Sequence, residues 1–281
     1  MSADHPIELC LEGQISPPVM VARLVLEGLS VSEIEQRLSA RADAKNLLRF
    51  LAAHANYIQR LRVMLAAAGI SHSDSADLAA IAARFDAAAG FAPEASVAAY
   101  SLGNPSLLEA MTSEIVSWLE DQRLIGAGAD VLDLGCGIGR VAGALAGRVR
   151  FVLGIDISTA MIAEARRRYS DHSNLRFDVT TGESLRHLPD DTFDLVLAVD
   201  TFPYMFQAGP ALVHTHVEES ARVLRRNGAL VIMNLTYGPD PFNDAELVNF
   251  WAAECGFQLA QKAVRPFNLW DGAVFVFHLA H

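Results

Sequence analysis

The stretch Val131–Arg140, VLDLGCGIGR, decides the fold. An apolar run carries an acid, Asp133, and glycines then follow at every second position: Gly135, Gly137 and Gly139. Such a run reads as a strand whose chain turns tightly, leaving backbone without Cβ atoms where a ligand can approach. A dinucleotide-binding turn would read G-x-G-x-x-G. Here position 140 is Arg, so the spacing is G-x-G-x-G and that ligand is not indicated. The phosphate loop G-x-x-x-x-G-K-[ST] does not occur in the sequence.

Outward from this stretch, strand signals alternate with helical ones. ADVLDL, FVLGID (151–156), LRFDV (175–179), FDLVLAVD (193–200) and ALVIMNL (229–235) read as strands. Helical patterns fall over 106–121, after the glycines, and over 158–169, 212–224 and 244–254. Two late strands, FQLAQKAV and AVFVFHLA, lie close enough to pair antiparallel. The alternation implies parallel pairing with helices on both faces. The expected fold is therefore α/β: a doubly wound, mostly parallel seven-stranded sheet with an antiparallel last strand.

Upstream of about residue 105 the signals are helical. Pro17 and Pro18 open one helix, and Gly28 lies near its stop. Ser30 precedes Glu33 by three residues, the spacing of a capping box. A longer helix spans about 43–68, with Leu47, Leu51, Ile58, Leu61 and Leu65 on one face, and a shorter one about 76–88. The expected division is a helical N-terminal domain with linker over 1–95, acting as a cap or dimerisation element, and a Rossmann-like domain over 96–281.

Composition narrows the function classes. Net charge is −11 over 281 residues, and apolar residues make up 52%, so a large core is affordable and nucleic acid is a poor partner. The basic runs Arg166–Arg168 and Arg225–Arg226 read as solvated helix ends. Cys10, Cys136 and Cys255 form no C-x-x-C pair, which suggests neither a metal knuckle nor a disulfide framework. His214 and His216, if helical, point about 200° apart and cannot share one metal. The N-terminus lacks the layout of a signal peptide, and no apolar run approaches a membrane span. These readings predict a cytoplasmic protein with no membrane contact and no metal.

The second strand ends in GIDIS, with Asp156 at its tip. A carboxylate there can accept from both hydroxyls of a ribose. VLDLGCGIGR, then GIDIS followed by Met161, then FDLVLAVDTFPYM, together resemble the class I S-adenosylmethionine-dependent methyltransferases over about residues 97–281. The resemblance implies S-adenosylmethionine as cofactor and S-adenosylhomocysteine as product. Asp133, Gly135, Cys136, Gly137 and Gly139 would line its methionine end, Asp156 would hold the ribose, and Ile157 and Met161 would pack on adenine. TTGESL offers Glu183 and Ser184 to the adenine, with Asp178 a rival acid. Asp200 would sit where cofactor and acceptor meet, and Tyr100 is either a lid over the cofactor or loop packing. Cys136 is either a reactive thiol or a small residue tolerated between glycines.

The resemblance also implies methyl transfer to a small O, N or C nucleophile by in-line displacement. Placing the nucleophile supplies most of the catalysis, and a general base is needed only if the nucleophile must lose a proton. Phe202, Tyr204 and Phe206 follow Asp200 and are acceptor-binding candidates, with at least one of them read as packing under the sheet, and Trp270 either contacts the acceptor or packs at the bottom of the sheet. Pro203 argues that this stretch is a loop. Tyr204 and His216 are the catalytic candidates, with a structural histidine the stronger reading of His216. The alternatives are a peptide or protein acceptor, or a non-catalytic cofactor-binding module.

Overall fold

A computed structural model describes residues 5–68, 76–238 and 240–280. These residues form two compact units. One comprises residues 5–68 with Ala87–Glu114 and Phe267–Asp271; the other comprises residues 76–86, Ile115–Pro266 and the chain from Gly272 onward. The units interleave along the sequence, whereas composition alone suggested a single cut at 95/96.

The first unit is helical. It contains α1 (His5–Leu11), α2 (Pro17–Leu26), α3 (Val31–Ser39) and α4 (Lys45–Ala68). The C-terminal part of α5 (Leu78–Phe91), α6 (Pro93–Val97), a 3₁₀ turn (Ala99–Ser101) and the start of α7 (Pro105–Asp121) complete it. Ser16 caps α2, and two prolines occupy its first turn, where a missing N–H costs nothing. The capping box of α3 forms: Glu33 N donates to Ser30 Oγ at 3.3 Å, and Ser30 N donates to the Glu33 carboxylate at 2.7 Å. Met20, Leu24, Ile34, Leu38, Leu51 and Ile58 are buried in one apolar cluster.

The second unit is the sheet. Its strands are β1 (Asp130–Leu134), β2 (Phe151–Asp156), β3 (Leu175–Val179), β4 (Phe193–Val199), β5 (Leu224–Met233), β6 (Phe257–Val264) and β7 (Val274–Leu279). Their order is β3-β2-β1-β4-β5-β7-β6. β1 to β5 pair in parallel, and β7 runs antiparallel to both β5 and β6. The strands connect through α8 (Arg140–Leu145), α9 (Thr159–Arg168), α10 (Phe202–Ala208), α11 (Pro210–Val223) and α12 (Pro241–Glu254). β1 is buried along its whole length, as expected of a central parallel strand covered on both faces. The order reverses between β1 and β4, so the carboxyl ends of those strands form the switch point.

Two local expectations are corrected. FPYM is not a loop: it opens α10, with Pro203 in the first helical turn, where its absent N–H would have been unpaired in any case. Arg225 and Arg226 are not at a helix end but at the start of β5. Arg225 bridges Asp130 at 2.8 Å and Asp194 at 2.7 Å, and Arg150 reaches Asp130 through Nε at 2.7 Å. This ion network ties together the amino ends of β1, β4 and β5. Among the described residues, no helix is long and apolar enough to cross a membrane.

Candidate functional site

The three alternating glycines occupy the left-handed region, with φ of +73° at Gly135, +53° at Gly137 and +75° at Gly139. A side chain is strained there, and two positions also lack the space for one. A Cβ at Gly135 would lie 2.3 Å from Thr201 Oγ1, and one at Gly139 would lie 2.8 Å from the Phe177 ring. Within the turn, Gly135 and Cys136 N–H donate to Ile155 O, and Gly139 N–H to Cys136 O. Gly137 N–H instead donates to Asp156 Oδ2 at 2.9 Å. The glycine turn and the acid at the tip of β2 are thus joined directly.

Asp156 also accepts from Ser158 N–H at 2.9 Å through its other oxygen. Burial pushes its carboxyl up, and these backbone donors oppose that. Asp133 is buried, and its Oδ2 has no hydrogen-bond partner among the described residues. Burial raises its carboxyl to about 7, opposed by the Arg140 charge. A buried carboxylate oxygen left unpaired is costly, so a polar ligand is the expected complement. Asp133, the left-handed turn and Asp156 therefore fit a ligand carrying a cationic group and a ribose.

The remaining adenine candidates fall nearby in part. Ile157 Cγ2 would lie 2.5 Å from a Cβ at Gly182, so Ile157 packs on the turn of TTGESL. Met161 is buried, with its N–H on Ser158 Oγ at 3.1 Å. Glu183 is exposed and Ser184 half-buried. Asp178 pairs with Arg176 at 2.7 Å and Arg166 at 3.5 Å, which gives its carboxylate a role on edge strand β3. Cys136 points its sulfur at β2, where a Cβ at Gly154 would lie 2.9 Å from it. Burial raises that thiol well above its usual range, which favours the packing reading over the reactive thiol.

Past β4, Asp200 has a left-handed backbone at φ +57°. Its Oδ1 accepts from Asn234 Nδ2 at 2.6 Å and from the Tyr237 hydroxyl at 2.7 Å. The Tyr204 ring stands edge-on to Tyr237 and to Phe85, with centroids 6.3 and 4.9 Å away. Burial, aided by the Asp200 charge, raises the Tyr204 phenol, which keeps it a donor. Thr201 Oγ1 donates to Leu134 O at 2.8 Å, directly over Gly135. This places the Asp200–Tyr204 corner beside the glycine turn.

Phe202, Phe206 and His216 do not join it. Phe202 is fully buried in the core of the sheet unit, and Phe206 packs partly against that core. His216 is buried within α11, its Nδ1 paired with Leu212 O at 2.9 Å, and burial lowers its pKa. His214 instead lies against Trp251, so the two histidines serve different neighbours. Tyr100 stacks on Trp270 at 5.2 Å, and Trp270 on Phe267 at 5.2 Å, all within the helical unit. Trp270 is buried there, which favours the packing reading of both rings.

Sequence reasoning missed Asp86, Thr201, Asn234 and Tyr237. Asp86 Oδ1 accepts from Ser158 Oγ at 2.6 Å and Ala160 N–H at 2.9 Å, across more than seventy residues of chain. Asn234 alone carried a legible signal, as a polar residue closing an apolar strand.

Comparison with known proteins agrees with this geometry. Residues 132–232 match the family model described as a methyltransferase domain. The chain is 30% identical over 135 residues to a demethylmenaquinone methyltransferase of Tropheryma whipplei, covering 45% of this chain and 54% of that protein. It is 34% identical over 110 residues to a ubiquinone biosynthesis O-methyltransferase of Bradyrhizobium diazoefficiens, covering 38% and 40%. The chain thus spans about half the length, or less, of these relatives. Among solved structures, phosphoethanolamine N-methyltransferase 1 of Haemonchus contortus has the same fold, with a TM-score of 0.56 at 17% identity over 70% of this chain and 47% of that one. Residues 132–232, the part of the seven-stranded sheet that carries the glycine turn, are thus similar to a methyltransferase domain.

Proposed function

We propose that this protein transfers a methyl group from S-adenosylmethionine to a small-molecule O, N or C nucleophile. The observation that carries the reading is the join of the left-handed glycine turn to Asp156 through Gly137 N–H, beside the unpaired Asp133 Oδ2. In this reading Asp133 faces the amino group of the methionine end, and Asp156 takes the ribose hydroxyls. Ile157 and Met161 border the adenine, and Glu183 approaches it from TTGESL. The bound cofactor supplies an activated methyl group, so the residues here have mainly to orient an acceptor and exclude water.

Tyr204, with Asp200 beside it, is the group best placed to orient the acceptor. Burial raises its phenol, so in this reading the hydroxyl stays protonated and is available as a donor to the acceptor. That the quinone-pathway relatives above are named for small acceptors supports the small-molecule class. Calorimetric titration with S-adenosylmethionine and S-adenosylhomocysteine tests the cofactor: micromolar binding of both is expected. Acceptors are then screened for a one-methyl mass gain. Folded protein that binds neither ligand would overturn the reading.

A further inference from the structure

We infer that Asp86 is a positioning residue for Asp156, acting through Ser158, so that a residue from outside the strand-and-helix core sets the geometry of the ribose acid. The inference rests on the reading of Asp156 given above, and adds to it a residue that no local motif marks.

The connection is continuous at hydrogen-bond distance. Ser158 is fully buried and serves both carboxylates: its N–H donates to Asp156 Oδ1 at 2.9 Å, and its hydroxyl donates to Asp86 Oδ1 at 2.6 Å. The same hydroxyl accepts from Met161 N–H, capping α9. Asp86 Oδ1 takes the Ala160 N–H, another of the donors that a helix start leaves unpaired, and Thr159 Oγ1 lies 3.4 Å from both of its oxygens. A negative charge at this end is also favoured by the helix dipole. Asp156 then reaches on to Gly137 N–H, so the chain of contacts runs Asp86, Ser158, Asp156, Gly137.

Asp86 is itself held in place. Residues 76–86 belong to the sheet unit and touch the segments that follow β2, β3 and β4. Ala76 N–H donates to Gln207 O at 3.2 Å, and Leu78 reaches within 3.4 Å of the Cβ position at Gly182. The Phe85 ring meets Tyr204 edge-on. A carboxylate fixed at both ends can fix its partner. Its charge also opposes that of Asp156, so the arrangement is retained against repulsion.

The test has two arms on the full chain. In the ligand-free arm, amide hydrogen exchange is compared between wild type and Asp86→Ala. Faster exchange at Ser158, Ala160 and Gly137 is expected, with the β1 amides unchanged. In the ligand arm, S-adenosylhomocysteine and its 2′,3′-dideoxyribose analogue are titrated. Asp86→Ala should weaken the parent ligand about tenfold, the scale of one lost charge-assisted hydrogen bond, and leave the analogue unmoved. Asp86→Asn, which keeps an acceptor oxygen, should stay within about threefold of wild type. Should Asp86→Ala fail to fold, Ser158→Ala breaks the same link and is expected to shift the same amide and the same ligand. Equal weakening of both ligands, or unchanged exchange at Gly137, would overturn the inference. Failure of wild type to bind either ligand would strike the cofactor reading alone, and the exchange arm would still decide the link.

Discussion

Asp200 and Asn234 meet side chain to side chain at 2.6 Å across the carboxyl ends of β4 and β5, each with a left-handed backbone. Neither is glycine, and each is held there by the other and by β-sheet neighbours: Asp200 N–H donates to Met233 O, and Asn234 N–H to Ala273 O. Asparagine and aspartate tolerate this conformation better than other side chains, though at some cost. The pair fixes the corner from which Tyr204 and Tyr237 project.

Substitutions at Asn234 separate strain from bonding. Asn234→Gly loses both side-chain hydrogen bonds, to Asp200 and from Ala273 N–H, but keeps the backbone at ease, and should cost about 2 kcal/mol. Asn234→Ala adds the left-handed penalty, about 1 kcal/mol more. Urea denaturation of the two variants reads the difference. Equal stabilities would mean that the φ of +61° carries no strain.

Glycine positions should divide by their surroundings. Gly135→Ala and Gly139→Ala place a Cβ against Thr201 and Phe177 in a left-handed backbone, and should cost roughly 2–4 kcal/mol and abolish cofactor binding. Gly126→Ala meets nothing within 4 Å and has no left-handed φ, so it should be neutral or stabilise by about 0.5 kcal/mol. Thermal melts with calorimetric titration check both. Retained binding in Gly135→Ala would remove the turn from the site.

Asp133 makes affinity depend on pH. Its carboxyl stands at about 7 in the fold against an ordinary 3.8. Between those values the folded state holds a proton that the unfolded state has released, so its contribution to stability falls as pH rises through that window. A cationic ligand favours the ionised form. Affinity for S-adenosylmethionine should therefore rise with pH up to about 7 and then level off, with proton uptake by buffer on binding below it. Asp133→Asn should bind weakly and show no such slope. A wild-type affinity flat from pH 5 to 8 would contradict this assignment.

The ion network at the other end of the sheet acts with the opposite sign. Hydrogen bonding to Arg150, and then to Arg225, holds the Asp130 carboxyl below its ordinary 3.8 despite burial. That contribution is present above about pH 4 and is lost as pH falls through the depressed folded value. Arg225→Met should cost about 1–3 kcal/mol at neutral pH, with the gap to wild type narrowing as the solution is acidified below 3.8. Chemical denaturation across pH measures it. A gap that is constant with pH would assign the loss to packing of the arginine stem.

His216 should behave as a core residue. His216→Gln is expected to lower the melting temperature and leave methyl transfer per folded molecule unchanged, since its ring is enclosed in α11 and bonded to Leu212 O. A selective loss of turnover at unchanged stability would return it to the catalytic candidates.

The sequence by itself determined whatever rests on neighbours along the chain. Apolar runs alternating with helical patterns located all seven strands and placed β2, β3 and β6 to the residue, the Ser30–Glu33 spacing announced its capping box, and alternating glycines announced the left-handed turn. These are short-range effects, in which rotamers, φ preferences and the first hydrogen bonds are chosen within a few residues. Tertiary structure alone decided which distant groups meet. It brought Asp86 to Ser158, set Arg225 between Asp130 and Asp194, and enclosed Trp270 with Tyr100 in the helical unit. It also turned FPYM into a helix start, because a helix is stabilised by the face it buries and Phe202 had a core to enter. A carboxylate or an aromatic ring has no period along the chain, so its partner is fixed only when the packed elements bring the two within a few ångströms.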